Sequence, residues 1–184
     1  MSETTSPALE RFILHWGEMG VRWGINRSVA QVQAFLILAP EPVPAEVISD
    51  ALGIARSNVS TSLKELQGWG LVKVVHVSGD RKDHFQALSD PWEMFRVVAS
   101  ERKKRELDPS KLVISECLSE LKKEKGHNQY ADEKLSELLS FFEAVFGFYD
   151  QLQRLQTPSL KKFAKMGSKV FKGLGLVGLS SKKI

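Results

Sequence analysis

Hydroxyl and basic side chains cluster on one side of a short helix predicted from Ala55 to Gln67. At 100° of rotation per residue, Ser57, Thr61 and Lys64 point in one direction, away from the apolar residues of the helix. Serine and threonine hydroxyls bond phosphates or base edges in the major groove of DNA, and arginine or lysine reaches guanine. The predicted contact set on this helix is Arg56, Ser57, Asn58, Ser60, Thr61 and Lys64.

The opposite side of the same helix is apolar. Val59, Leu63 and Leu66 lie at positions i, i+4 and i+7, which predicts one buried stripe. A shorter helix is predicted before it, from Pro44 to Leu52, with its proline at the first helical position. Gly53 is predicted to end that helix at positive φ. Two short helices joined by a tight turn predict a helix-turn-helix unit.

A β-branched run follows this unit and predicts a two-stranded ribbon. Leu71 to Val77 is the predicted first strand, Ser78 to Asp80 the turn, and His84 to Leu88 the returning strand. Two basic residues follow the turn directly. These two residues either contact DNA or are simply exposed to solvent in the turn. The helix pair that precedes them in the sequence favours contact with DNA. The ribbon residues predicted to contact DNA are Lys73, Arg81 and Lys82.

The predicted fold class is mainly α with a small two-stranded β-wing: a winged helix-turn-helix domain plus a helical dimerisation region. Four regions are expected. They are an N-terminal helix at 1–25, the winged helix-turn-helix domain at 26–90, a helical dimerisation region at 91–156 and a lysine-rich amphipathic tail at 157–184.

The helices outside the winged domain carry broad apolar faces. Phe12 and Trp16 lie on one face of the first helix, which suits packing or a dimer contact, and its glycines are expected to loosen its end. Asp90-Pro91 and Asp108-Pro109 each predict a helix start with an aspartate cap. The next helix, Tyr130 to Gln156, has a heptad-like seam that predicts dimerisation. The seam residues are Leu135, Leu138, Phe142, Val145, Tyr149 and Leu152.

Composition indicates a soluble globular chain. Of 184 residues, 42% are hydrophobic and 26% charged, and neither a membrane span nor a signal peptide is recognisable. The single cysteine, Cys117, excludes an internal disulfide framework and suits a reducing cytoplasm. We therefore expect a cytoplasmic, nucleoid-associated protein without stable membrane association.

The positive charge is unevenly distributed. Seven lysines and no acidic residue follow Thr157. Because the whole chain has a net charge of +4, the residues before this tail have a net charge of about −3. Overall charge is therefore weak evidence for DNA binding, and the local basic residues carry the argument. For the tail itself three roles stay open: a helix docked on the dimer, which is favoured, a DNA-phosphate arm, or a membrane-surface helix.

Several short stretches share the pattern of one known family. They are Arg27 to Gln31, Ala55 to Ser60, Leu63 to Leu66, Trp69 to Val72, Gly79 to Asp83 and Asp90 to Trp92. The chain resembles GbsR/MarR-type winged helix-turn-helix transcriptional regulators. The resemblance implies a prokaryotic homodimer, joined by its terminal helices, that binds double-stranded operator DNA, commonly as a repressor, and that in some members answers to a small molecule. One departure is Ala55, where the family often has serine.

No catalytic centre is predicted, so an enzyme is not expected, and no cofactor or metal is assigned. His15, His76, His84 and His127 lack ligand spacing, although His76 and His84 could face each other across the ribbon. A candidate pocket for a small-molecule effector involves Trp16, Trp23 and Trp92, whose rings suit a quaternary ammonium, with core packing as the simpler role. The alternative function is a winged-helix protein-interaction or assembly module that does not read DNA sequence.

Overall fold

The computed structural model describes residues 6–124 and 128–173, with side chains described as far as residue 167. The chain forms two compact units, Met1–Glu101 and Arg102–Ile184. The first contains α1 (Pro7–Arg22), α2 (Arg27–Leu38), β1 (Val43–Pro44), α3 (Ala45–Leu52), α4 (Arg56–Gly68), β2 (Val72–His76) and β3 (Asp83–Ala87). Then follow α5 (Pro91–Arg102), a π-helical turn (Lys103–Leu107), α6 (Asp108–Leu121), α7 (Gln129–Arg154) and α8 (Thr157–Gly173).

Helix α2 supplies the centre of the first unit. Its Val29, Val32 and Leu36 are buried, and they share one core with Ile48 of α3, the apolar stripe of α4 and the buried ends of the sheet. The predicted stripe of α4 is confirmed, because Val59, Leu63 and Leu66 are at most 2% exposed. Burial of these side chains is the main free-energy gain of the unit.

Glycines allow α1 to approach α2 closely. A Cβ added at Gly20 would lie 2.5 Å from the Cβ of Ala30, and one added at Gly17 would lie 2.7 Å from Cγ of Gln31. Both glycines are buried in the helix pair. The expectation that these glycines loosen the end of α1 is therefore wrong for Gly17 and Gly20, whose missing side chains permit the close packing.

The ribbon is part of a three-stranded antiparallel sheet, in the order β1-β3-β2. The predicted hairpin is present as β2 and β3, but the third strand, β1, was not predicted. Pro44 pairs with His84 and takes extended backbone angles as the N-cap of α3, so its predicted place as the first helical residue is wrong. A proline is tolerated there because β1 is an edge strand. Gly53 ends α3 at φ 63°, as predicted.

The two Asp-Pro signals behave differently. Asp90 Oδ1 accepts hydrogen bonds from the backbone N–H of Trp92 at 2.8 Å and of Glu93 at 3.4 Å, which confirms it as the cap of α5. Asp108 is itself helical, so its predicted role as a cap is wrong. A π-helical turn precedes it, and Pro109 lies in the first turn of α6, where a missing backbone N–H is tolerated.

In the second unit, Lys103 connects the π-helical turn with α6 and α7. Its Nζ donates a hydrogen bond to Asp108 Oδ1 at 2.7 Å and lies 4.6 Å from the ring centre of Phe146 in α7. The hydrogen bond to Asp108 raises the pKa of Lys103 above its ordinary value, with burial opposing. Among the residues described, no helix is both long enough and apolar enough to cross a membrane.

We predict that replacing Gly20 with alanine lowers the free energy of unfolding of the first unit by about 1–3 kcal/mol, because the new methyl group meets the rigid Cβ of Ala30. Gly68→Ala is the matched control, since nothing lies within 4 Å of a Cβ added there. Urea unfolding of both variants measures the difference. Equal stability of the two variants would contradict the close approach of α1 and α2.

Candidate nucleic-acid interface

Helix α4 presents two chemically opposite sides. Val59, Ser62, Leu63 and Leu66 form its buried side, of which only Ser62 was not expected. Every residue of the predicted contact set is exposed on the remainder of the helix: Arg56, Ser57, Asn58, Ser60, Thr61 and Lys64. Ser57, Thr61 and Lys64 lie within about 60° of one another around the helix axis, at 100° per residue. The arrangement offers one cation and two hydroxyls along a protruding edge.

The hairpin between β2 and β3 places Arg81 and Lys82 in its exposed turn, whereas Lys73 lies within β2, opposite Gln86. The side chains of Lys73, Arg81 and Lys82 are all exposed. The turn is formed by Gly79 at φ 86° and by the backbone N–H of Lys82, which donates to Asp80 Oδ1 at 3.0 Å. Basic residues at the tip are therefore held on a short, defined loop.

A buried histidine supports this loop from within. His84 is 8% exposed, and its Nδ1 lies 3.1 Å from the backbone carbonyl of Lys82. A carbonyl oxygen only accepts, so Nδ1 carries the proton and donates. The second ring nitrogen, Nε2, lies 3.5 Å from Asp80 Oδ2. Asp80 and His84 together brace the backbone of Lys82 from two directions.

The two ribbon histidines do not face each other. His84 pairs across the hairpin with Val75, and His76 pairs with Asp83, so the two rings lie on opposite faces of the ribbon. The suggestion that they face one another is wrong. Within the described part of the chain, no three histidine, cysteine, aspartate or glutamate residues come together in a way that could hold a metal ion.

An acidic residue that was not predicted lies among the predicted cations. Nζ of Lys82 lies 3.6 Å from Oε1 of Glu46, in the first turn of α3. A hydrogen bond from the backbone of Glu46 lowers the pKa of this carboxyl below its ordinary value, burial opposes the shift, and the positive charges of Lys82 and Arg56 lower it further. The carboxylate is thus ionised and electrostatically coupled to two predicted DNA contacts.

Sequence reasoning missed the roles of Glu46, Asp80 and His84. Glu46 reaches Lys82 only through the pairing of β1 with β3, which no local spacing marks, whereas Asp80 and His84 each contact the backbone of Lys82 from two residues away within one turn. The only signal available was the aspartate after Gly79, since aspartate commonly caps a turn through its side chain.

A cavity of about 210 Å³ lies in the first unit between α1, the start of α2 and α5. Trp16 and Trp23 line it, as the sequence suggested, while Trp92 is not among its lining residues. The wall also includes Met19, Met94, Phe95 and Gln33, whose Nε2 lies 3.9 Å from Sδ of Met94. The surface is therefore mainly apolar and aromatic.

The residues predicted to form a dimer contact have mixed exposure. Leu138 and Val145 are 46% and 41% exposed, whereas Leu135, Phe142, Tyr149 and Leu152 are half-buried. The exposed surface of α7 continues over Phe141 and Phe148. On α1, Phe12 and Trp16 are half-buried, with ring centres 5.4 Å apart. His127 and the lysines from Lys169 onward lie outside the described side chains.

Comparison with known proteins agrees with this geometry. The HTH-type transcriptional repressors OpcR and GbsR of Bacillus subtilis (strain 168) are similar to this chain. OpcR is 23% identical over 136 residues, which are 72% of this chain and 74% of OpcR. GbsR is 26% identical over 154 residues, which are 80% of this chain and 85% of GbsR.

A solved structure described as the crystal structure of a transcriptional regulator shares the fold. Its TM-score is 0.51 at 20% identity, and the match covers 79% of this chain and 99% of that one. The sequence profile described as MarR family matches residues 21–83. Residues 21–83 of this chain are therefore similar to the MarR family.

Proposed function

We propose that this protein is a transcriptional regulator, acting as a repressor, that binds double-stranded operator DNA as a homodimer. The observation that carries the proposal is the exposed polar side of α4, packed from behind by Val59, Leu63 and Leu66 and followed by a braced basic hairpin. The similar proteins OpcR and GbsR are repressors by name. Such a regulator acts in the cytoplasm, at the nucleoid.

The two parts of this surface have different tasks. Ser57, Thr61 and Lys64 enter the major groove, where hydroxyls and cations distinguish base edges. Arg81 and Lys82 contact phosphates or enter the adjacent minor groove, whose negative potential attracts cations where it is narrow. The α4 side chains supply sequence preference, and the hairpin supplies affinity for any duplex.

Replacing Arg81 and Lys82 together with alanine is expected to weaken DNA binding and to flatten its dependence on salt. Each lost phosphate contact removes about 0.9 from the slope of log affinity against log salt, so the slope falls by about two. Lys122→Ala/Lys123→Ala is the control, since it removes two exposed charges from the second unit. The probe is a duplex from the region upstream of the protein's own gene.

An unchanged slope in the Arg81→Ala/Lys82→Ala variant would remove the hairpin from the interface. If the wild-type protein binds neither the upstream duplex nor a scrambled duplex at low salt, DNA binding itself is refuted, and the protein-interaction module becomes the better account.

Replacing Ser57 and Thr61 with alanine is expected to reduce sequence preference while leaving the salt slope unchanged. The ratio of affinities for the upstream and scrambled duplexes should fall by about 3- to 30-fold, the range expected for one or two lost hydrogen bonds. Fluorescence anisotropy with both duplexes measures the ratio. Ser119→Ala, on the exposed side of α6, is the matched control. A ratio unaffected by the α4 variant would exclude these hydroxyls from base recognition.

The dimer part of the proposal is supported by exposed apolar side chains in the second unit. Leu138, Phe141, Val145 and Phe148 of α7 are each more than 40% exposed, as is Leu112 of α6. Contiguous apolar surface of this kind marks an interaction site in a soluble protein. A symmetric dimer would present its two copies of α4 to successive major grooves of the DNA.

The variant Phe141→Asp/Val145→Asp is expected to convert the dimer into a monomer, because it places two charges in the interface. Ser140→Asp, on the same helix at an exposed position away from this apolar side, should remain dimeric. Light scattering coupled to size-exclusion chromatography gives the mass of each variant. A monomeric wild type, or a variant of unchanged mass, would contradict this interface.

The cavity between α1, α2 and α5 is the proposed effector site. Its volume of about 210 Å³ admits only a small molecule, and the Trp16 and Trp23 rings together with Gln33 favour a largely apolar or quaternary ammonium compound. An effector that widens the space between these helices would shift α1 and α5 against the core of the winged domain.

A further inference from the structure

Strand β1 brings Glu46 to the tip of the hairpin. Val43 pairs with Phe85 and Pro44 with His84 in antiparallel register. Helix α3 begins directly after Pro44 and β3 begins directly after Lys82, so the first turn of α3 lies beside the end of the hairpin turn. Oε1 of Glu46 lies 3.6 Å from Nζ of Lys82. The pairing of β1 with β3 therefore brings these two side chains, which are far apart in the sequence, within reach of each other.

The electrostatics of Glu46 reach beyond this contact. Its carboxyl lies in the first turn of α3, where the helix dipole and a backbone hydrogen bond favour the ionised form. Lys82 from the hairpin and Arg56 from the first turn of α4 both lower its pKa further. The Glu46 carboxylate thus interacts electrostatically with one cation of the hairpin, Lys82, and one cation of α4, Arg56.

We propose that Glu46 is an internal competitor of the DNA phosphate: it holds the Lys82 ammonium in the free protein and must release it when a duplex binds. The inference rests on the proposed DNA-binding function. A carboxylate and a phosphate are alternative anionic partners for one ammonium group, so DNA binding has to overcome the existing pair. Glu46 is a positioning residue that sets affinity and need not itself contact DNA.

The sign of a substitution at Glu46 separates competition from a structural role. If the carboxylate competes with phosphate, Glu46→Gln frees Lys82 and tightens binding. If the pair mainly fixes the hairpin in a DNA-binding position, the same substitution disorders the tip and weakens binding. Exposed ion pairs contribute little to stability, so the fold itself should tolerate the change.

The experiment compares Glu46→Gln with wild type on the upstream duplex and on a scrambled duplex of equal length at about 0.1 M salt. We expect two- to fivefold tighter binding to both, the range set by the strength of an exposed pair. Asp50→Asn is the matched control, because it removes one negative charge from an exposed position of α3 one turn after Glu46. Glu46→Asp, which retains the carboxylate, should stay within about twofold of wild type.

A double-mutant cycle with Lys82→Ala tests the mechanism. In the Lys82→Ala background, Glu46→Gln should lose most of its effect on DNA affinity, since the ammonium group for which carboxylate and phosphate compete is absent. Three results would overturn the proposal and leave DNA binding intact. Glu46→Gln could bind no more tightly than Asp50→Asn, it could bind more weakly than wild type, or it could keep its tighter binding in the Lys82→Ala background. If the wild-type protein binds neither duplex, the proposed function and this inference fail together.

Discussion

The interaction on which the rest of the first unit depends is the packing of α4 against α2 and α3. Val59, Leu63 and Leu66 are almost completely buried, and this fixes the rotation of α4 about its axis. A rotation of about 100°, one residue of the helix, would bury polar side chains without partners, at a cost of several kcal/mol. The same packing therefore determines which side chains reach outward. The polar side of α4 is exposed because its apolar side packs against α2 and α3.

The sheet adds a second constraint, because it joins the hairpin to the helix pair. β1 precedes α3 directly and pairs with β3, so the hairpin tip and the first turn of α3 stay close. Arg56, Lys82 and Glu46 are thereby coupled although they belong to three different elements. The affinity of the surface for DNA then depends on the balance among these charges as well as on their number.

The sequence predicted what depends on local periodicity. The faces of α4, the hairpin and the cap at Asp90 follow from residue spacing within one element, and each was found as predicted. The missed features depend on tertiary context. The sequence alone predicts a helix start at Pro44, because the place of a proline in an edge strand depends on the partner strand. It predicts a cap at Asp108, because a π-helical turn leaves no local signature. The roles of the exposed residues stay predictions until they are measured.

Contact of α4 and the hairpin with DNA is best measured by titrating the isotopically labelled protein with the upstream duplex and following the chemical shifts of its backbone amides. We expect the shifts to concentrate in residues 56–64 of α4 and 80–83 of the hairpin and to saturate at one duplex per pair of chains. Shifts confined to other segments, such as the lysine-rich α8, with α4 and the hairpin unchanged, would contradict this contact.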